Sequence, residues 1–171
     1  MKKKRELFMQ AQGHSNDFQT PPHAIAPLLK FLNPKWKIWE CASGRGNLVT
    51  EFSRLGFQVT GSDILTGSNF LEWEPDEYDC IITNPPYSLK EKFLQRAYSL
   101  KKPFAFLLPL TTFESNKRQT LFREHGLEVI FLNKRINFET PSGKGSGSWF
   151  ATAWFTNWMN IGKQMTFEVM E

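Results

Sequence analysis

Lys37-Ile38-Trp39-Glu40-Cys41-Ala42-Ser43-Gly44-Arg45-Gly46-Asn47-Leu48 is the stretch from which the fold is read. A short apolar run stops at a tight glycine turn and continues as Leu48 to Leu55, apolar at helical spacing; this is strand, turn and amphipathic helix. Gly56 stands where helices commonly close. Phe57 to Ser62 reads as a second strand with Asp63-Ile64 at its tip. The strand–turn–helix–strand order predicts a right-handed crossover between two parallel strands.

Upstream, Thr20 as N-cap, Pro21 at the first helical position, and Ala24, Ile25, Leu28, Leu29 and Leu32 at helical spacing predict a helix entering at Thr20. Asn33-Pro34 ends it. Residues 1–16 lack periodicity and are expected to form a basic mobile arm before a single domain over 17–171. Downstream, an acidic connector (Glu72 to Asp79) leads to the apolar run Cys80-Ile81-Ile82, which stops at Thr83-Asn84-Pro85-Pro86-Tyr87. Leu89 to Leu100 then reads as helix, Pro103 to Leu110 as buried strand, and Phe113 to His125 as a helix stopped by Gly126. Leu127 to Leu132 and Trp149 to Thr156 read as strands around a Gly/Ser-rich loop at 141–148, and together look like an antiparallel hairpin. The alternation implies an α/β, doubly wound, mostly parallel sheet.

With 171 residues, 40% hydrophobic and 22% charged, the chain has the composition of a globular domain with a real core. No apolar run approaches the ~20 residues of a membrane span, and no signal peptide is visible, so the expected location is cytoplasmic. Cys41 and Cys80 lie inside apparent strands and read as buried free thiols; three scattered histidines give no metal-ligand spacing. Lys2, Lys3, Lys4 and Arg5 account for the net charge of +4. Within the neutral remainder, residues 40–79 carry two basic and eight acidic side chains, and residues 90–144 eleven basic and five acidic. An acidic half and a basic half suit either two different partners or plain solvated surface.

The glycine turn Gly44-x-Gly46 lets backbone approach a ligand that a Cβ would exclude. It is not a dinucleotide fingerprint, because Val49 stands where the third glycine would fall, and there is no phosphate-loop Gly-Lys-Ser/Thr. Asp63, at the tip of the next strand, is placed to accept both hydroxyls of a ribose, or else to cap a turn. An acidic pocket that takes a ribose and no phosphate suits a cationic nucleoside such as S-adenosylmethionine. Asn84-Pro85-Pro86-Tyr87 presents an amide, a stiffly aimed carbonyl and an aromatic ring at a strand end, a grouping able to hold a flat, amino-bearing substrate.

On these motifs the chain resembles the class I S-adenosylmethionine-dependent amino-methyltransferases, in particular the N6-adenine DNA methyltransferases, over roughly residues 17–156. The resemblance implies a Rossmann-like, seven-stranded sheet with an antiparallel C-terminal hairpin. Asp17 to Pro22 looks like the family's N-terminal Thr-Pro motif, which puts Thr20 and Pro21 against the cofactor. Glu40 to Gly46 is similar to the glycine motif, bringing Glu40, Cys41, Ala42, Gly44, Gly46 and the adjoining Asn47 to the cofactor. Asp63 matches the acidic ribose ligand, with Ile64 beside it. Asn69-Phe70 matches the residues around the adenine, although Asp-Phe is usual there and Asn69 is a departure. Asn84-Pro85-Pro86-Tyr87 matches the catalytic tetrapeptide, with Asn84 also bordering the cofactor. Tyr87 is then expected to stack on the target base.

The resemblance also implies a chemistry. The lone pair of an exocyclic adenine amine is delocalised into the ring. The Asn84 side-chain oxygen and the Pro85 carbonyl would accept its two hydrogens and free that lone pair, with Pro86 fixing the carbonyl's direction. No general base of shifted pKa is required. Duplex substrates would need base flipping. Phe138 is either the second face of a base sandwich or a core residue. Arg135 and Lys144 are candidate nucleic-acid contacts, and Lys117, Arg118 and Arg123 share one helix that suits backbone contact. Only 20 residues separate Asp63 from Asn84, and the chain ends soon after its last expected strand. No target-recognition domain is therefore expected, and recognition falls to loops, the basic arm or a partner. The expected partner is nucleic acid, DNA ahead of RNA, with no membrane and no metal. Adenine methylation in structured RNA and methylation of a protein glutamine amide use the same motif and remain the alternatives.

Overall fold

The computed structural model describes residues 18–138 and 150–170. Seven strands form one sheet: β1 (Lys37–Glu40), β2 (Gln58–Gly61), β3 (Cys80–Thr83), β4 (Phe104–Pro109), β5 (Glu128–Leu132), β6 (Thr152–Asn157) and β7 (Met165–Glu168). Their order is β2-β1-β3-β4-β6-β5-β7. All neighbours pair in parallel except β6, which runs opposite to both β4 and β5. The expected α/β class and the antiparallel pairing of the last two anticipated strands are both present. β6 slots between β4 and β5, and β7 adds an edge strand that the pattern reading did not anticipate.

Strand composition explains the layers. Cys80-Ile81-Ile82-Thr83 and Phe104 to Pro109 are buried at every position, as parallel strands covered on both faces require. Alternate side chains separate into two cores: Ile38, Cys80, Ile82, Ala105, Leu107 and Trp154 on one face, and Trp39, Ile81, Phe104, Phe106, Leu108 and Phe155 on the other. The first face is covered by the entry helix and α2 (Asn47–Arg54), through Ala24, Ile25, Leu28, Leu48 and Phe52. The second is covered by α3 (Lys90–Leu100), through Phe93, Leu94, Ala97 and Tyr98, and by Leu121 and Phe122 of α4 (Asn116–His125). The fully buried Trp154 ring donates its Nε1–H to the Ala24 carbonyl at 2.9 Å, tying β6 to the entry helix.

Several boundaries differ from the expectations. The entry helix begins at Pro22, not Thr20: Pro21 is its N-cap and makes no side-chain cap. It runs as a 3₁₀ turn, Pro22–Ile25, into α1 (Ala26–Leu29). Pro21 and Pro22 have no N–H, so a cap at Thr20 would find no donor at the second helical position for its hydroxyl to accept from. The helix expected from Phe113 is instead a 3₁₀ turn, Leu110–Phe113, followed by α4, capped by the Ser115 side chain accepting from Arg118 N–H. In β6 Trp154 and Phe155 are core, whereas Trp158 just beyond it is 39% exposed. Cys41 and Cys80 are buried free thiols. Among the described residues no helix is long and apolar enough to cross a membrane.

Candidate active site

Strand order creates the site. β1 lies between β2 and β3, so the connections from it and past it leave to opposite sides, the strand order at which open α/β sheets take ligands beyond their carboxyl ends. Because β6 alone runs backwards, its amino end arrives at the same place. The Gly44 turn, Asp63, the Asn84 loop, Phe138 and Phe150 thus all sit at one end of the sheet. The depression lined by Lys37, Gln58, Val59, Thr60, Pro75, Asp76 and Glu77 lies at the other end, around the amino ends of β1 and β2, and contains none of these residues.

At the end of β1, Glu40 is 2% exposed and accepts from the Thr83 hydroxyl and, at 3.3 Å, from Ala42 N–H. Burial pushes its carboxyl up to about 8, against the two hydrogen bonds that favour the charged form. This contact joins the glycine turn directly to the strand that carries Asn84. Burial also raises the neighbouring Cys41 thiol, whose side chain is core at 2% exposure. A cofactor contact from Cys41 is therefore limited to its backbone.

The turn itself is held from two sides. Gly44, at φ +50°, donates its N–H to Asp63 Oδ2 at 2.9 Å, and Arg45 N–H donates to Gln19 Oε1 at 3.1 Å. A Cβ at Gly44 would lie 2.8 Å from Gln19 Nε2, so the glycine here admits the Gln19 side chain. At Gly46, φ +83°, a Cβ would meet nothing within 4 Å, leaving backbone open to a ligand. Asn47 Nδ2 donates to the Thr20 carbonyl at 3.4 Å. Thr20 itself is buried. The Thr20–Pro21 segment, the glycine turn and the start of α2 are thus one assembly, with Gln19 as its unanticipated link. Its signal was the same hexapeptide, Asp17 to Pro22, read there for Thr20 and Pro21 alone.

Asp63 acts as a cap: Oδ1 accepts from Leu65 N–H and Oδ2 from Gly44 N–H, both at 2.9 Å. Each oxygen keeps a second lone pair, so the capping role and a ribose-binding role are compatible. Ile64 beside it is 64% exposed, an apolar face available to a flat ring. Asn69 Oδ1 is taken up by Leu71 N–H at 3.1 Å. Phe70, at 2% exposure with its ring between those of Phe93 (4.7 Å) and Trp39 (5.2 Å), has a core side chain, so only its backbone is left to border a ligand.

Beyond β3, Asn84 Nδ2 donates to the Phe18 carbonyl at 2.9 Å, while its Oδ1 is buried with no partner. The amide's orientation is therefore set by backbone that precedes it by 66 residues. Tyr87 has a half-buried ring and a buried, unpartnered hydroxyl, whose ionisation burial pushes far up. The Lys90 ammonium donates to the Tyr87 carbonyl at 3.0 Å and is held below its usual range by burial and by Arg118.

The rings of Phe18, Tyr87, Phe138 and Phe150 form one cluster, with Phe18 centroids 6.0 Å from Tyr87, 5.6 Å from Phe138 and 5.8 Å from Phe150. Phe138, 2% exposed, is thus buried among its own aromatic neighbours and does not present a free face to a base. Arg135 is exposed at the same end of the sheet and has an interaction of its own. Arg118 is turned onto the Thr112 carbonyl at 2.6 Å and is largely covered, so it staples the turn before α4 to the helix. Asp17, Lys144 and the basic arm lie outside the described residues.

No protein-family model matches the chain, and no curated protein matches it. Solved structures do. A type I restriction-modification system methyltransferase subunit from Streptococcus thermophilus superposes with a TM-score of 0.59 at 20% identity, over 90% of this chain and 47% of that one. A protein assigned as a class I S-adenosylmethionine-dependent methyltransferase from Listeria monocytogenes gives 0.62 at 14% identity, over 91% and 66%. A protein assigned as an RNA methyltransferase from Pyrococcus horikoshii gives 0.51 at 11% identity, over 79% of each chain. The chain spans about half the length of the first and about two thirds of the second. What it shares with all three is the Rossmann-like methyltransferase fold.

Proposed function

We propose that the chain is an S-adenosylmethionine-dependent methyltransferase that modifies the N6 amine of adenine in DNA, acting on an unpaired or flipped base. The observation that carries this reading is Asn84 Oδ1: a buried amide oxygen, aimed by the Phe18 carbonyl and left without a partner, at the strand end that borders the glycine turn. Buried acceptors are ordinarily satisfied, and one kept empty at a switch point is a place for an incoming donor.

The residues at the crevice fit the cofactor. Gly46 leaves backbone exposed, Asp63 retains lone pairs for a ribose diol, and Ile64 offers an apolar face, with no phosphate cradle beside them. When bound, S-adenosylmethionine supplies an electrophilic sulfonium methyl group. The chain's own contribution is to the nucleophile. Asn84 Oδ1 and the Pro85 carbonyl accept the two hydrogens of the amine, drawing its nitrogen out of conjugation. Pro86, without an N–H and with fixed φ, holds that carbonyl in place. Tyr87 stacks on the base, which takes over contacts that the Phe18 and Phe150 rings now make. The enclosed Oδ1 accepts a base only once it has left the helical stack.

The test incubates the protein with methyl-labelled cofactor and, in turn, duplex DNA, transfer RNA and a protein extract. Label recovered as N6-methyladenine in DNA is expected. Label confined to RNA or to glutamine overturns the substrate assignment. Asn84→Ala is expected to abolish transfer while cofactor binding, measured by equilibrium dialysis, survives.

A further inference from the structure

We infer that the Phe18 ring gates the target site: it lies against Tyr87 in the pose of a stacked base, and turns aside when a base enters. This rests on the reading of Asn84 Oδ1 as the acceptor for a target amine. It adds a residue whose ring works against substrate binding while its carbonyl works for it.

Of the described rings around Tyr87, Phe18 is the one that lies nearly parallel to it, 28° between planes with centroids 6.0 Å apart. Phe150 meets Tyr87 edge-on at 83°, and Phe138 packs on Phe18 and Phe150. The same residue also holds the amide, since the Phe18 carbonyl accepts from Asn84 Nδ2 at 2.9 Å. A base that stacks on Tyr87 and donates to Asn84 Oδ1 therefore has to lie beside Phe18, in the space its ring fills. Asn84 Oδ1 and the Tyr87 hydroxyl are both buried without a partner. As the rings are arranged, neither atom can be reached by a substrate, so part of the cover has to move.

The hydrogen bonds decide which part. Gln19 is 7% exposed, and its Oε1 accepts from Arg45 N–H at 3.1 Å. Thr20 is 4% exposed, and its carbonyl accepts from Asn47 Nδ2 at 3.4 Å. With its own carbonyl on Asn84, the backbone of Phe18 is tied to the glycine turn on one side and to the target loop on the other. Its side chain is only half-buried, whereas Phe138 is core. Rotation about the first side-chain torsion carries the ring away and leaves the carbonyl where it is. The amide keeps its aim while the face of Tyr87 is uncovered.

Such a ring competes with the base. Apparent affinity falls by the fraction of protein whose ring is out of the way. One aromatic pair favours the ring-in arrangement by a factor of roughly 2 to 12. Removing the ring should therefore tighten target binding, the opposite of what loss of a supporting core residue does.

The test measures, by fluorescence anisotropy with S-adenosylhomocysteine present, the Kd of a single-stranded thymidine oligonucleotide that carries one adenine. KM and kcat for methyl transfer to the same strand are measured alongside. Phe18→Ala keeps the carbonyl and should lower Kd and KM about 3- to 10-fold. Phe18→Leu, apolar but without a flat face, should shift both in the same direction, and it carries the test if thermal unfolding shows the Ala variant misfolded. The adenine-free strand should bind all three proteins equally. A Kd unchanged or raised in both variants, an equal gain for the adenine-free strand, or a loss carried by kcat alone, as a misaimed Asn84 would give, overturns the gate. Failure of the substrate reading shows separately, as label that the unmodified protein transfers only to RNA or to glutamine.

Discussion

Replacing Glu40 by Gln should change how stability depends on pH more than it changes stability itself. Glu40 is enclosed at the end of β1, and burial raises its carboxyl from 4.5 to about 8. The folded chain therefore holds a proton there up to pH about 8, while the unfolded chain sheds it near 4.5. The contribution of this proton is complete below 4.5, declines through the window between the two values and is gone above 8. The slope is about 1.4 kcal/mol per pH unit, on the order of 5 kcal/mol across the window. For a domain whose total stability is roughly 5–15 kcal/mol, that is a large share. Glutamine mimics the protonated acid and keeps an oxygen for the Thr83 hydroxyl and Ala42 N–H. Urea unfolding of both proteins at intervals from pH 5 to 9 cancels every other titration in the difference. The two should nearly coincide at pH 5, and the Gln variant should be the more stable by several kcal/mol at pH 8.5. Parallel curves across the range would refute the assignment of a buried, proton-holding carboxyl. A cation in the crevice should favour the carboxylate, so cofactor affinity of the unmodified protein should rise towards pH 8 and that of the Gln variant should not.

Tyr87→Phe should be neutral or stabilising by up to about 1 kcal/mol in thermal unfolding, because the deleted hydroxyl is buried without a partner. A loss of methyl transfer in the same variant would assign that hydroxyl to the substrate. Gly44→Ala, at φ +50° with the new Cβ against the Gln19 amide, should cost roughly 2 kcal/mol. Part of that loss should vanish in a Gln19→Ala background, an interaction that a double-mutant cycle measures. Trp154→Phe should cost about 2–3 kcal/mol by chemical denaturation, through the lost bond to the Ala24 carbonyl and the unfilled indole volume.

Local pattern carried most of the fold. The run Lys37 to Ser62 specified strand, turn, helix and strand because a period of two, a period of 3.6 and a glycine each leave a local mark, and β1, α2 and β2 lie within a residue or two of their expected bounds. β7 left a weaker mark. Four residues, Met165 to Glu168, become a strand only because β5 offers them an edge, and that edge is the product of β6 inserting beside β4. The same limit applies at the site. Asn84-Pro85-Pro86-Tyr87 was legible as a rigid polar loop from its own residues. The burial of the Phe70 and Phe138 rings was not legible, because an aromatic beside a motif carries the same letter whether its ring lines a pocket or fills the core.

What the amino-acid sequence determined by itself was the alternation of strands and helices, the carboxylates and glycines at the strand ends, and the amide-bearing loop after β3. Tertiary structure alone decided which of these touch. Glu40 meets Thr83 across 43 residues and Asn84 meets the Phe18 carbonyl across 66, contacts that sheet order brings together and no local period encodes. It also decided the state of each group. A carboxyl holds its proton and an amide oxygen goes unpartnered because burial and hydrogen bonding are properties of the packed chain and not of any one residue.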